Sequence, residues 1–77
     1  MNQKDLEVIS KKQLVKSQLE KEFDIYKEQG FNKEECINKL ISSIEKWSIS
    51  LYSKYNNAEA TFYLNYAYSV LDSLKSK

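Results

Sequence analysis

Seventy-seven residues with twelve lysines, eleven acids and a net charge of +1 make one short, nearly neutral unit, read as a single helical domain over 1–77. Such a chain buries only about 60% of the surface it exposes when unfolded, so a staple is expected. With the single cysteine Cys36 and no histidine, neither a disulfide nor the commonest metal ligand is on offer, and a partner chain is the staple that composition leaves.

The absence of proline and the presence of one glycine, Gly30, predict long helices with few breaks. The first runs from Asn2 or Gln3 to Gln29, because Val8, Val15, Leu19, Phe23 and Tyr26 recur on one face at the helical period. Ser10 with Gln13 offers a capping box, so a start at Lys11 is the alternative. Gly30 then suits the left-handed position that closes a helix, with Phe31 placed to touch Tyr26. Asn32 with Glu35 has the spacing of a capping box, and Phe31 with Cys36 that of a hydrophobic staple. One segment thus closes a helix and opens the next. The second helix runs over 33–55, where Ile37, Leu40, Ile41, Ile44, Trp47, Leu51 and Tyr55 recur at three- and four-residue steps. Asn56-Asn57, followed by Glu59, is the break before a third helix over 57–75; one continuous helix from Lys33 to Lys75, suited to a dimer, is the alternative. With the first helix at 3–29, the fold class is all-α, an antiparallel three-helix bundle with helices of roughly 40, 34 and 28 Å.

Several chemistries lose their usual residues. Without histidine there is no Ser-His-Asp or Cys-His arrangement within the chain, and the residue most used for proton transfer near neutral pH is missing. Cys36 at a helix start is read as a small buried apolar group rather than an activated thiol. The acids Glu34 and Glu35, and Glu20, Glu22 and Asp24, read as solvated charge and dipole compensation. The chain is therefore expected not to be an enzyme and to need no cofactor and no metal. Lys11, Lys12 and Lys16 cluster on the first helix, but arginine is absent and the third helix is without positive charge until Lys75, so nucleic acid is disfavoured. The most apolar stretch, Phe62 to Leu71, is interrupted by Asn65 and Ser69 and is about half the length of a membrane span, and the acid-bearing start lacks the pattern of a signal peptide. The expected location is cytoplasmic. The bias toward Lys, Asn, Ile, Tyr and Ser points to a low-GC bacterium or its phage and mobile elements.

The aromatic surplus carries the functional reading. Six tyrosines, three phenylalanines and one tryptophan make 13% of the chain, most of them between Trp47 and Tyr68. On the third helix, Phe62 and Tyr66 flank the core stripe of Ala60, Tyr63, Leu64, Ala67, Val70, Leu71 and Leu74 on one side and Tyr68 on the other, an apolar arc of roughly two-thirds of the circumference. A short chain can hardly cover that arc alone. Tyr52, Phe62, Tyr66 and Tyr68 are accordingly expected to build part of a protein-binding patch, since aromatic residues are enriched in such surfaces. Leu14, Ile25 and Ile49 also point away from their helices' main faces, as single exposed residues often do. The expectation is a non-enzymatic protein-binding module, a small regulator or inhibitor, with a homodimer through the third helix as a natural companion. The alternatives are a self-protection protein of the bacteriocin-immunity type, by analogy of size and class alone, and a nucleic-acid-binding or plasmid-maintenance factor.

Overall fold

The computed structural model describes residues 3–76, with side chains from residue 6 onward. It consists of α1 (Gln3–Glu28), α2 (Lys33–Lys54) and α3 (Asn57–Lys75), each packed against the other two in a body of 42 × 26 × 17 Å. This is the antiparallel three-helix bundle that periodicity predicts. The alternative first residue Asn2 lies outside the described residues, and Ser10 lies inside α1 rather than capping it.

Local chemistry explains both corners. Gly30 adopts φ +97°; its N–H donates to the Lys27 carbonyl at 3.1 Å, and the Phe31 N–H to the Tyr26 carbonyl at 3.2 Å. These two bonds are the Schellman closure, and they satisfy carbonyls that the end of a helix orphans. The Tyr26 and Phe31 rings meet edge to face, their centroids 6.1 Å apart. Asn32 then opens α2. Its side-chain oxygen accepts from the Glu35 N–H at 2.9 Å, while Glu35 accepts from the Asn32 N–H at 3.3 Å, a complete capping box. Cys36 is fully buried, its thiol 3.7 Å from the Phe31 carbonyl.

The second corner is simpler than the left-handed turn that asparagine also permits. Tyr55 (φ −120°, ψ 161°) and Asn56 (φ −67°, ψ 166°) are both extended, and among the described residues only Gly30 has positive φ. Asn56 caps α3 by accepting from the Glu59 N–H at 2.9 Å. The chain therefore does not form one helix from Lys33 to Lys75. Two helix ends fall one residue earlier than the periodicity places them. Gln29 serves as the cap of α1, and Tyr55 leaves helical dihedrals to cap α2.

The core is small. Leu19 and Phe23 of α1 meet Cys36, Ile37, Leu40 and Ile44 of α2 and Ala67, Val70, Leu71 and Leu74 of α3, the end of the bundle holding the Gly30 corner. Val8, Val15 and Tyr26 on α1, and Ile41, Trp47, Leu51 and Tyr55 on α2, are half-buried rather than enclosed. Among the described side chains of α1, none before Leu19 is fully buried. The other end of the bundle is closed differently, and there the candidate surfaces lie.

Candidate functional site

The aromatic surplus of α3 is covered in part by lysines of α1. Lys11 Nζ stands 4.3 Å from the centroid of Tyr55 and 6.0 Å from that of Tyr63. Lys12 Nζ stands 4.9 Å from Tyr66 and 5.7 Å from Phe62. Adjacent lysines thus reach different ring pairs, and the rings also meet one another, with centroids of Tyr55 and Tyr63 5.6 Å apart and of Phe62 and Tyr63 5.3 Å apart. An ammonium over a ring face is held by the ring quadrupole while its aliphatic stem covers apolar surface. Hydrogen bonding to Tyr55 holds the Lys11 ammonium above the ordinary lysine value, against a smaller opposing effect of burial. Burial pushes the Tyr63 phenol up, opposed by the positive charge of Lys11. Lys11 and Lys12, which the sequence groups with Lys16 as a basic cluster, are therefore engaged with the protein's own rings.

The four residues expected to form one patch are placed on two sides of α3. Phe62 (46% exposed) and the half-buried Tyr66 face α1 beneath Lys12. Tyr52 on α2 donates to or accepts from Thr61 at 3.1 Å, which puts it on the opposite flank, the one Tyr68 shares with Thr61 seven residues along. Phe62 and Tyr68 point about 120° apart around the helix at 100° per residue. The structure thus brings Phe62 together with Tyr66, and aligns Tyr52 and Tyr68 on the α2 flank, without joining the pairs.

A third surface is an open groove of ≈ 360 Å³ along the α1–α2 seam, away from α3. Val15, Trp47 and Leu51 form its floor, with Leu14, Gln18, Ser50, Lys54 and Tyr55 around them. Leu14 is 68% exposed beside it. Further along the seam Ser43 donates to Glu22 Oε1 at 3.3 Å, and Glu22 Oε2 is buried with no hydrogen-bond partner. Leu14 is the sequence signal for this groove. By itself it looks like an ordinary exposed residue, and only the packing of α2 beside it brings Trp47 and Leu51 into line.

Among the described residues, no three His, Cys, Asp or Glu side chains converge as a metal site, and no helix is long and apolar enough to cross a membrane. Compared with known protein families, curated proteins and solved structures, the chain matches none.

Proposed function

We propose that this chain is a non-enzymatic protein-binding module, a small cytoplasmic regulator or inhibitor that acts by occupying a partner's surface. The observation that carries the reading is the α1–α2 groove, with an apolar floor of Val15, Trp47 and Leu51 and Leu14 largely in water at its edge. Burying such a surface releases about 25 cal/mol for each Å² of apolar area, and nothing within the described chain covers it. The lack of histidine in the sequence supports the non-enzymatic part of the reading. The engagement of Lys11 and Lys12 with rings supports protein over nucleic acid as the partner, since phosphate contacts need free cations. An origin in a low-GC bacterium or its mobile elements fits the composition.

The test is affinity capture by the immobilised chain from a lysate of the organism that encodes it. The expected result is a specific protein retained by the wild type and lost with Leu14→Asp, a change at an exposed position that leaves helicity intact. Replacing Phe62 and Tyr66 with serine distinguishes the faces: loss there, with Leu14→Asp unaffected, moves the contact to the α1–α3 seam. Retention of no protein above a blank matrix rejects the function itself.

A further inference from the structure

We propose that residues 6–14 of α1 form a strap that opens on its own, unwinding from the N-terminal side and baring aromatic rings of α2 and α3 while the rest of the bundle stays folded. The seam of α1 recurs at three- and four-residue steps through Val8, Lys11, Lys12, Val15, Leu19, Phe23 and Tyr26, but its two halves differ in chemistry. Leu19 and Phe23 are enclosed, and Val15 is the first apolar side chain of α1, among those described, to pack against the core. Before Val15, the described side chains that are not exposed are Val8, Lys11 and Lys12, and all three are half-buried. Lysine thus stands at two of the three positions where a bundle seam calls for an apolar side chain. The other apolar residues of the segment, Leu6, Ile9 and Leu14, are exposed and hold nothing down.

The surface beneath the strap is held together without it. Tyr63 is buried, yet the contiguous core takes its enclosed α3 residues only from Ala67 onward. The Tyr63 ring lies 5.6 Å from Tyr55, and Tyr52 bonds Thr61 at 3.1 Å, so α2 and α3 stay joined here whether or not α1 covers them. The core around Leu19, Leu40 and Leu71 is untouched by opening. Opening gives up the contacts of Val8 and the lysines over the rings. A lysine stem covers a ring while its ammonium keeps to water, and fixing it there costs more rotamer freedom than fixing leucine. Glu7 and Glu59 line the cleft beside Lys11, both exposed, where an ion pair contributes little. Once released, so short a stretch does not hold a helix by itself. It contains neither glycine nor proline to act as a hinge, so opening proceeds by unwinding toward Val15. The closed form keeps Tyr55, Phe62, Tyr63 and Tyr66 under Lys11 and Lys12, and the open form presents those rings, which makes the strap a switch between two surfaces.

Native-state amide hydrogen exchange at neutral pH, read residue by residue by NMR, tests this. Each helical amide donates to the carbonyl four residues back, so unwinding through residue 14 frees the amides up to Gln18. The amides of residues 8–18 are expected to share one protection level, at least about tenfold below that of residues 19–28, with a step at Leu19. Val8→Ala lowers the protection of residues 8–18 together and leaves residues 19–28 unmoved. Lys11→Leu combined with Lys12→Leu raises it at least about tenfold, because a leucine seam closes the segment onto the rings. A single protection level across residues 8–28 overturns the proposal, as does protection that climbs smoothly along the helix, the pattern of simple end fraying. So does protection of residues 8–18 that rises with protein concentration, which makes a second copy the cover. A double leucine variant whose pattern matches the wild type also overturns it, since lysine would then close the seam as firmly as leucine. The wild-type pattern is decisive without any variant, so a substitution that fails to fold leaves the test intact.

Discussion

At the level of single residues, the Gly30 corner concentrates the most local information. At φ +97° the backbone lies where an L side chain is strained, while a Cβ there would meet nothing within 4 Å. The cost of a substitution is thus conformational and not steric. Gly30→Ala is expected to lower stability by about 1–2 kcal/mol, and each kcal/mol corresponds to roughly 4–8 °C of Tm for a domain of this size. Gly30→Asn should lose less, because asparagine tolerates positive φ better than other side chains. Thermal unfolding followed by circular dichroism measures both, with Gln29→Ala at the exposed neighbouring position as the control. A Gly30→Ala variant that melts with the control would mean that the corner rearranges around the new residue. This corner was legible from the sequence because each of its bonds joins residues no more than five apart. Tyr26, Gly30, Phe31, Asn32, Glu35 and Cys36 all take the roles their spacing assigns.

Among the helices, legibility follows the strength of the apolar stripe. In α2 Ile37, Leu40 and Ile44 are buried as read while Ile41 is half-covered, and in α3 Ala60, Tyr63, Ala67, Val70, Leu71 and Leu74 are buried while Leu64 is half-covered. In α1 the apolar residues are spread around the helix, with Leu6, Ile9, Leu14 and Ile25 exposed, and only Leu19 and Phe23 fully enclosed. The α2–α3 break depends on one capping residue. Asn56 accepts from the Glu59 N–H and donates from its amide to the Glu59 carboxylate at 3.0 Å. Asn56→Ala removes both bonds and is expected to cost about 1 kcal/mol, with the oligomeric state unchanged from that of the wild type. Ala67 and Leu71 still draw α3 back onto the core, and alanine at one position does not offset their burial. Urea unfolding gives the first quantity and light scattering the second. A larger assembly in Asn56→Ala than in the wild type would show that the continuous helix from Lys33 to Lys75 lies within a small free-energy step of the bundle.

Across the whole molecule, the arrangement that the sequence did not disclose is the pairing of lysines with rings between helices. Lys11 is 44 residues from Tyr55, and no local pattern joins them; the pairing exists because α1 returns beside α3. The apolar arc of α3 was legible, but its covering was not. With Lys12 over Phe62 and Tyr66, the drive to pair α3 with a second copy weakens. This end of the bundle also gives stability a defined pH dependence. The Lys11 ammonium is held above its ordinary 10.5, so its contribution is complete below that value and fades as pH rises through the folded pKa. The Tyr63 phenol is held above its ordinary 10.0, so the fold favours the neutral form, and that contribution also fades as pH climbs past 10.0 and the phenol ionises. Both effects have the same sign, and neither acts in acid. Stability is therefore expected to fall on the alkaline side of about pH 10 more steeply in the wild type than in Tyr63→Phe, which keeps the ring and removes the titrating group. Lys11→Met, which keeps a chain over Tyr55 without the charge, removes the lysine's share of that limb but also the positive charge that opposes the rise of the Tyr63 phenol, so its limb is expected to change shape and not to run parallel to the wild type. Unfolding midpoints measured from neutral pH upward provide the comparison. Parallel alkaline limbs in all three proteins would mean that the lysine over the rings is only a covering side chain, with no electrostatic part in holding this end of the bundle closed.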